Sequence, residues 1–208
     1  MPSDGCTFYA LHGKRLVDTL GAGLMLFLLL PFMVVIGVCI LESMGLPILF
    51  VQKRPGFRGR LFRIYKFRTM TNRRNKDGRL LPDADRITPI GKRLREYSLD
   101  EIPEIINVLK GDMSFVGPRP LLRRYLARYT PKQNRRHAVK PGITGWAQVN
   151  GRNSISWEEK FKYDLWYIDH VSLSLDMKIL KKTLFKVLRR EAISGDGEAT
   201  MQEFTGGM

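Results

Sequence analysis

The chain has 208 residues, with 35 Lys and Arg against 20 Asp and Glu, for a net charge of +15. That length suits a single domain, 1–208, with a core large enough to fold, and the charge points to an anionic partner: nucleic acid, acidic lipid head groups or a phosphorylated substrate. Cys6 and Cys39 give no disulfide framework, no Cys/His spacing suits zinc, and His12, His137 and His170 each read as a surface or satisfied histidine rather than a catalytic base.

In chain order, the first predicted element is apolar. Thr19 to Leu41 is a run of 23 uncharged residues, which as one helix would span roughly 34 Å, enough for a bilayer. It is too long for the apolar part of a secretory signal, and no small-residue cleavage site follows it. Pro31 sits in its middle, where it has no N–H to give Phe27 and its ring strains the preceding turn. Lys14 and Arg15 precede the run, and Lys53, Arg54, Arg58, Arg60, Arg63, Lys66 and Arg68 follow it. Positive flanks stay cytoplasmic. A re-entrant helix-break-helix over 14–45, hinged at Pro31, keeps both flanks on one side; a kinked ordinary span is the alternative.

The remaining 46–208 reads as a catalytic part on the cytoplasmic face. Residues 50–70 alternate basic and apolar side chains around Pro-Gly, which predicts a β-hairpin with "LFRIYKF" as its better strand. Residues 71–89 are polar and punctuated by Gly and Pro, the pattern of a long surface loop. A short helix, a break and a second helix from about Pro103 to Lys110 follow. Residues 119–130 and 156–170 have helical spacing. The 173–191 stretch is amphipathic, with Met177, Leu180, Leu184, Val187 and Leu188 on one face and six Lys and Arg behind. Such a helix either lies on an anionic membrane or turns its apolar face to a core. The fold class is therefore α+β, mostly helical, with a small β-hairpin or sheet.

"SLDEIPE" (98–104) places Asp100 beside Glu101. As N-cap, Asp100 would put Pro103 in the first helical turn, where proline is tolerated. The same placement exposes an ionised carboxylate that can attack phosphorus or hold a divalent cation. "FVGPRPL" mounts Arg119 on a stiff turn, and the Gly-rich "KPGITGWAQVNGR" ends in Arg152. Arginines bind phosphate oxygens in forked pairs, so two acids and two mounted arginines suit a nucleotide diphosphate. "DAD", Asp83 and Asp85, matches the short metal motif of many nucleotide-sugar transferases, but in a polar loop it reads as a surface turn. No P-loop or dinucleotide fingerprint is present.

"RPG", "IYKFRTM", "SLDEIPEIINVLKGDMSFVGPRPL" and "KPGITGWAQVNGR" together resemble the small, single-domain monotopic bacterial phosphoglycosyl transferases, over about Lys14 to Phe204. The resemblance implies a Mg²⁺-dependent enzyme at the cytoplasmic face of the bacterial inner membrane. A sugar 1-phosphate would pass from a UDP-sugar to polyprenol phosphate, releasing UMP. Asp100 would be the covalent nucleophile, Glu101 its partner in metal or proton handling, and Lys66, Arg95, Arg119 and Arg152 would hold phosphates. Relatives often carry Ser before the hinge proline, where this chain has Leu30. "SGDGEATMQEF" (194–204) resembles tails of relatives handling UDP-di-N-acetylbacillosamine.

Two rival readings remain. One is a membrane-tethered basic module for nucleic acid or anionic lipid; the basic residues lack the interleaved aromatics of a base-stacking platform, so no nucleic acid is expected. The other is a metal-dependent sugar transferase using Asp83 and Asp85 and releasing UDP.

Overall fold

A computed structural model describes residues 9–151, 154–189 and 203–206. After a π-helical turn at Tyr9–Gly13, the apolar run forms α1, Lys14–Met44. The helix continues without interruption through Pro31, so the expected helix-break-helix is one helical segment. Its buried positions, Asp18, Ala22, Ile36, Gly37 and Ile40, fall with the half-buried Leu26, Leu29 and Met33 on one stripe spaced by three and four residues. Leu20, Leu24, Phe27, Leu28, Val34, Val35 and Val38 point outward, exposed.

Both ends of α1 are fastened to the rest of the chain. At the start, Arg15 donates to the carbonyls of Val108 and Leu109 at 2.6 and 2.9 Å. Asp18 accepts from the Ser114 hydroxyl and the Phe115 amide, both at 3.1 Å. At the end, Arg68 donates to the Met44 carbonyl.

The predicted hairpin is present. β1 (Leu49–Pro55) pairs antiparallel with β2 (Leu61–Phe67), from Leu49 opposite Phe67 to Pro55 opposite Leu61. Its turn carries Arg58 at φ 53° and Gly59 at φ 72°. Side chains alternate along a strand, so Phe50, Gln52, Arg54, Ile64 and Lys66 share one face.

The polar 71–89 stretch holds one short helix, α2 (Asp83–Arg86), and folds back through bridges between Met70 and Ile87 and between Arg74 and Leu80. α3 (Pro89–Glu96) starts on Thr88, whose hydroxyl accepts from the Gly91 amide at 3.0 Å. A 3₁₀ turn, Leu99–Glu101, follows Ser98 at φ 54°, and then comes α4, Glu104–Lys110. Asp100 is not the cap of α4, as the sequence suggested. Pro103 occupies that place, and the 3₁₀ turn leaves the Asp100 side chain outside the helix.

β3 (Ser114–Val116) and β4 (Gly142–Thr144) form a short parallel pair that the sequence did not announce. The 119–130 stretch, expected to be helical, contains only a 3₁₀ run at Arg123–Arg128; Pro118 and Pro120 precede it. α5 (Pro131–Asn134) and α6 (Trp146–Val149) are single turns. α7 (Trp157–Asp169) opens with a Ser156/Glu159 capping box, and α8 spans Leu173–Arg189.

α1 completes two of the apolar cores. Ala22 packs with Ile64, Ile105, Val108 and Met113, and Ile36 and Ile40 pack with Phe67 and Leu94. α8 buries Leu175, Asp176 and Ile179. Its sequence-predicted apolar stripe faces outward instead: Met177, Leu184 and Leu188 are exposed, as are Leu173 and Phe185. Leu180, also of that stripe, is partly buried and packs against a core cluster, so the core-facing alternative holds there and not at the exposed positions.

Candidate active site

A cavity of about 600 Å³ lies between the inner face of the hairpin, the segment around α3 and the 3₁₀ turn, and the wall formed by α6 and α7. The hairpin register dictates that Phe50, Gln52, Arg54, Ile64 and Lys66 all line it. Arg95, Asp100, Glu101 and Arg119 line it as well. Five residues singled out in the sequence, Lys66, Arg95, Asp100, Glu101 and Arg119, are thus brought to one site. Arg152 lies outside the described residues. Pro31 is on α1 and is no part of the cavity wall. Asp83 reaches the cavity lining with a half-exposed side chain held by Arg86, while Asp85 does not line it.

Glu101 is the centre of an ion-pair cluster. Lys66 Nζ is 2.6 Å from its Oε1, and Arg119 donates to both of its oxygens. Burial alone would push Glu101 up, but Arg119 and Lys66 outweigh it and hold its carboxyl well below the usual range. Behind it, Glu104 is almost wholly buried. Lys66 Nζ stands 3.0 Å from Glu104 Oε1, yet neither Glu104 oxygen gains a hydrogen bond, so this is a charge contact without directional bonding. Burial, reinforced by the Glu101 charge, pushes Glu104 up to about 7.

Asp100 is treated differently. Its carboxylate makes no hydrogen bond or ion pair among the described residues. Burial and the Glu101 charge raise it to about 6, with Lys66, Arg95 and Arg119 offsetting part of the rise. The adjacent acids are therefore split. Glu101 is a fixed anion that holds Lys66 and Arg119 in place, and Asp100 is the uncommitted carboxylate facing the cavity.

The cations are mounted by local rules. A Cβ on Gly91 would stand 1.9 Å from the Thr69 carbonyl oxygen, so only glycine lets α3 approach that close. One turn on, Arg95 Nε donates to Thr69 Oγ1 at 3.0 Å. Arg119 leaves the tight β3–β4 junction, where the Gly117 amide donates to Thr144 O at 2.9 Å. From behind, Arg136 donates to the Arg119 carbonyl at 2.8 Å and pairs with Asp164 at 2.7 Å, both side chains being buried.

Sequence reasoning missed Arg54, Glu104, Arg136, Gln148, Lys160 and Asp164. For two of them a signal existed: Arg54 has the same strand parity as Gln52, whose partner Ile64 shares the face of Lys66, and Glu104 lies a helical step from Glu101. Arg136 and Asp164 are 28 residues apart and share no local pattern.

Residues 9–190 match the family described as bacterial sugar transferase. The chain is 52% identical over 194 residues to the uncharacterized sugar transferase EpsL of Bacillus subtilis (strain 168), covering 93% of this chain and 96% of that one. It is 41% identical to the UDP-N-acetylgalactosamine-undecaprenyl-phosphate N-acetylgalactosaminephosphotransferase of Aeromonas hydrophila, over 84% of this chain and 43% of the relative. A UDP-glucose:undecaprenyl-phosphate glucose-1-phosphate transferase of Klebsiella pneumoniae is 40% identical over 83% of this chain and 39% of its own length. The chain spans nearly all of the first relative and about two fifths of the other two.

Proposed function

Given that the chain belongs to the bacterial sugar transferase family, we propose that it is a phosphoglycosyl transferase moving a sugar 1-phosphate from a UDP-sugar to undecaprenyl or a similar polyprenyl phosphate, with release of UMP. The observation that carries this reading is the split acid pair: one carboxylate locked by Lys66 and Arg119, its neighbour free in a cavity rimmed by cations.

In the first half-reaction an Asp100 oxygen attacks the sugar-bearing phosphorus. An oxygen–phosphorus bond forms, the bond to the UMP oxygen breaks, and UMP leaves with the electron pair. In the second, a polyprenyl phosphate oxygen attacks the same phosphorus and Asp100 departs as carboxylate. Arg119, Lys66 and Arg95 supply preorganised positive charge for the phosphoryl oxygens, and Glu101 keeps two of those cations from moving.

No group of three metal-ligating side chains occurs among the described residues. Mg²⁺ nevertheless fits, because it is commonly held by one or two carboxylates together with substrate phosphates. Asp100, with Glu101 beside it, would provide the protein's share. When bound, the ion offsets diphosphate charge.

A monotopic, re-entrant seat at the cytoplasmic face of the inner membrane is supported by two features. The outward side of α1 and the exposed α8 stripe are both apolar. Both ends of α1 are fastened to the same body, and a re-entrant path would bend the continuous helix at Pro31 rather than break it. The relatives' names differ in the sugar, N-acetylgalactosamine in one and glucose in another, so the sugar panel takes UDP-N-acetylhexosamines and UDP-glucose, with UDP-di-N-acetylbacillosamine added on the resemblance of the 194–204 tail.

The test is the nucleotide product, measured with the chain in nanodiscs, Mg²⁺ and polyprenyl phosphate. UMP release that vanishes in Asp100→Asn is expected. UDP release would replace this reading with ordinary glycosyl transfer.

A further inference from the structure

Among the described residues that line the cavity, Gln148 is the neutral side chain with every polar atom buried and unpartnered. It lines the wall built by α6, next to Ala147. Its Nε2 and Oε1 are both shielded from solvent, and neither has a hydrogen-bond partner among the described residues. A buried primary amide with nothing on either atom is costly, and native chains rarely keep one without a use. The backbone beneath gives it no relief. A Cβ on Gly145 would come within 2.8 Å of Gln148 Oε1 and 2.1 Å of the Gly117 carbonyl, so the amide rests on a close-packed backbone floor. Arg119 meets Glu101 and Arg136 meets Asp164, so these two cations of the cavity have carboxylate partners. Gln52, Asn72 and Gln148 each present a neutral donor and acceptor side by side, and among them Gln148 is the one whose two amide atoms are both buried and unpartnered among the described residues. The terminal torsion of glutamine is soft, so the amide can turn to a ligand at little cost.

We infer that Gln148 is a specificity-determining residue that reads a planar, neutral donor–acceptor pair on the bound substrate. This rests on the phosphoglycosyl transferase reading. Two parts of a UDP-sugar carry that chemistry: the imide edge of the uracil, and the acetamido group of an N-acetylated sugar. Phosphate does not carry it, which separates Gln148 from the arginines and lysines around it.

The experiment is calorimetric titration of UMP and of UDP-N-acetylglucosamine onto the full chain in nanodiscs, wild type and Gln148→Met, with thermal unfolding of the ligand-free proteins. Methionine keeps the length and removes the hydrogen bonds. An unpartnered amide adds nothing to the empty fold, so Tm stays level or rises. Affinity for at least one probe falls about tenfold. A fall for UMP assigns the uracil; a fall for UDP-N-acetylglucosamine alone assigns the acetamido group. Unchanged affinity for both, or a lowered Tm with unchanged affinity, overturns the inference. If the wild type binds neither probe, the transferase reading fails first and this inference goes with it, an outcome distinct from binding that ignores Gln148.

Discussion

Asp100 and Glu101 share a peptide bond and differ in everything that matters chemically. Glu101 is anionic at any working pH because two cations hold it. Asp100 titrates near 6, above its ordinary 3.8. The raised value means the folded chain binds this proton more tightly than the unfolded one. Its contribution to stability is full below about pH 4 and is lost as pH rises through 6. Asp100→Asn should therefore end turnover and yet raise stability at pH 7, by roughly 2–3 kcal/mol, readable as a higher Tm. A nucleophile must be ionised, so kcat/KM should climb with pH and level off above about 6; a flat profile down to pH 5 would contradict the assignment. Arg136 is the other telling residue. Arg136→Met leaves Asp164 buried without its cation, which costs about 3–5 kcal/mol, and removes the donor to the Arg119 carbonyl. The measurement is chemical unfolding beside phosphate-ligand affinity. Asp100, Glu101 and Arg119 were legible because each lies in a short motif with its own local mechanism, whereas Lys66 and Arg95 came only from the family resemblance. The split between the two acids was not legible, since it depends on Lys66, 35 positions away from Glu101.

At the scale of elements, alternation carried the reading well, while the cap expected at Asp100 is taken by Pro103. "LFRIYKF" is β2 residue for residue, and Ser156 and Glu159 start α7 as a capping box should. The parallel pair β3–β4 was invisible because three-residue strands have no periodicity; it forms where glycines permit contact. A Cβ on Gly142 would lie 2.1 Å from the Gly117 amide nitrogen. Gly142→Ala should therefore force the two strands apart and displace Arg119, with loss of activity exceeding loss of helix content by circular dichroism. α8 shows the opposite case: its pattern was plain, but which way the stripe faced was not. Leu184 and Leu188, 60% and 70% exposed, touch little of the protein. Leu184→Glu with Leu188→Glu should raise amide exchange along α8 in anionic nanodiscs while leaving Tm unchanged, since α1 still anchors the chain. Unchanged exchange would remove α8 from the membrane surface.

For the molecule as a whole, the apolar run announced a membrane element, and the flanking charges argued for one face. Neither disclosed that α1 is also a wall of the fold, because the stripe Asp18–Ile40 looks no different from the rest of an apolar run. Its contacts run from the Arg15 clamp on α4 to the Arg68 bond at Met44. A chain starting at Gly45 should accordingly fail to give a soluble enzyme. Ile64, Ile105, Val108, Phe67 and Leu94 would lose their cover and the fragment should aggregate. The consequence reaches the lipid. An enzyme hung from a flexible leash can sample many heights above a bilayer. On the proposed reading, this one has its reactive carboxylate bolted, through the hairpin and α4, to the same helix that would sit in the oil. With α1 seated so, the distance from Asp100 to the acyl chains would be set once, at folding, like the fixed focal length of a lens, and only a phosphate carried at that depth would come into focus.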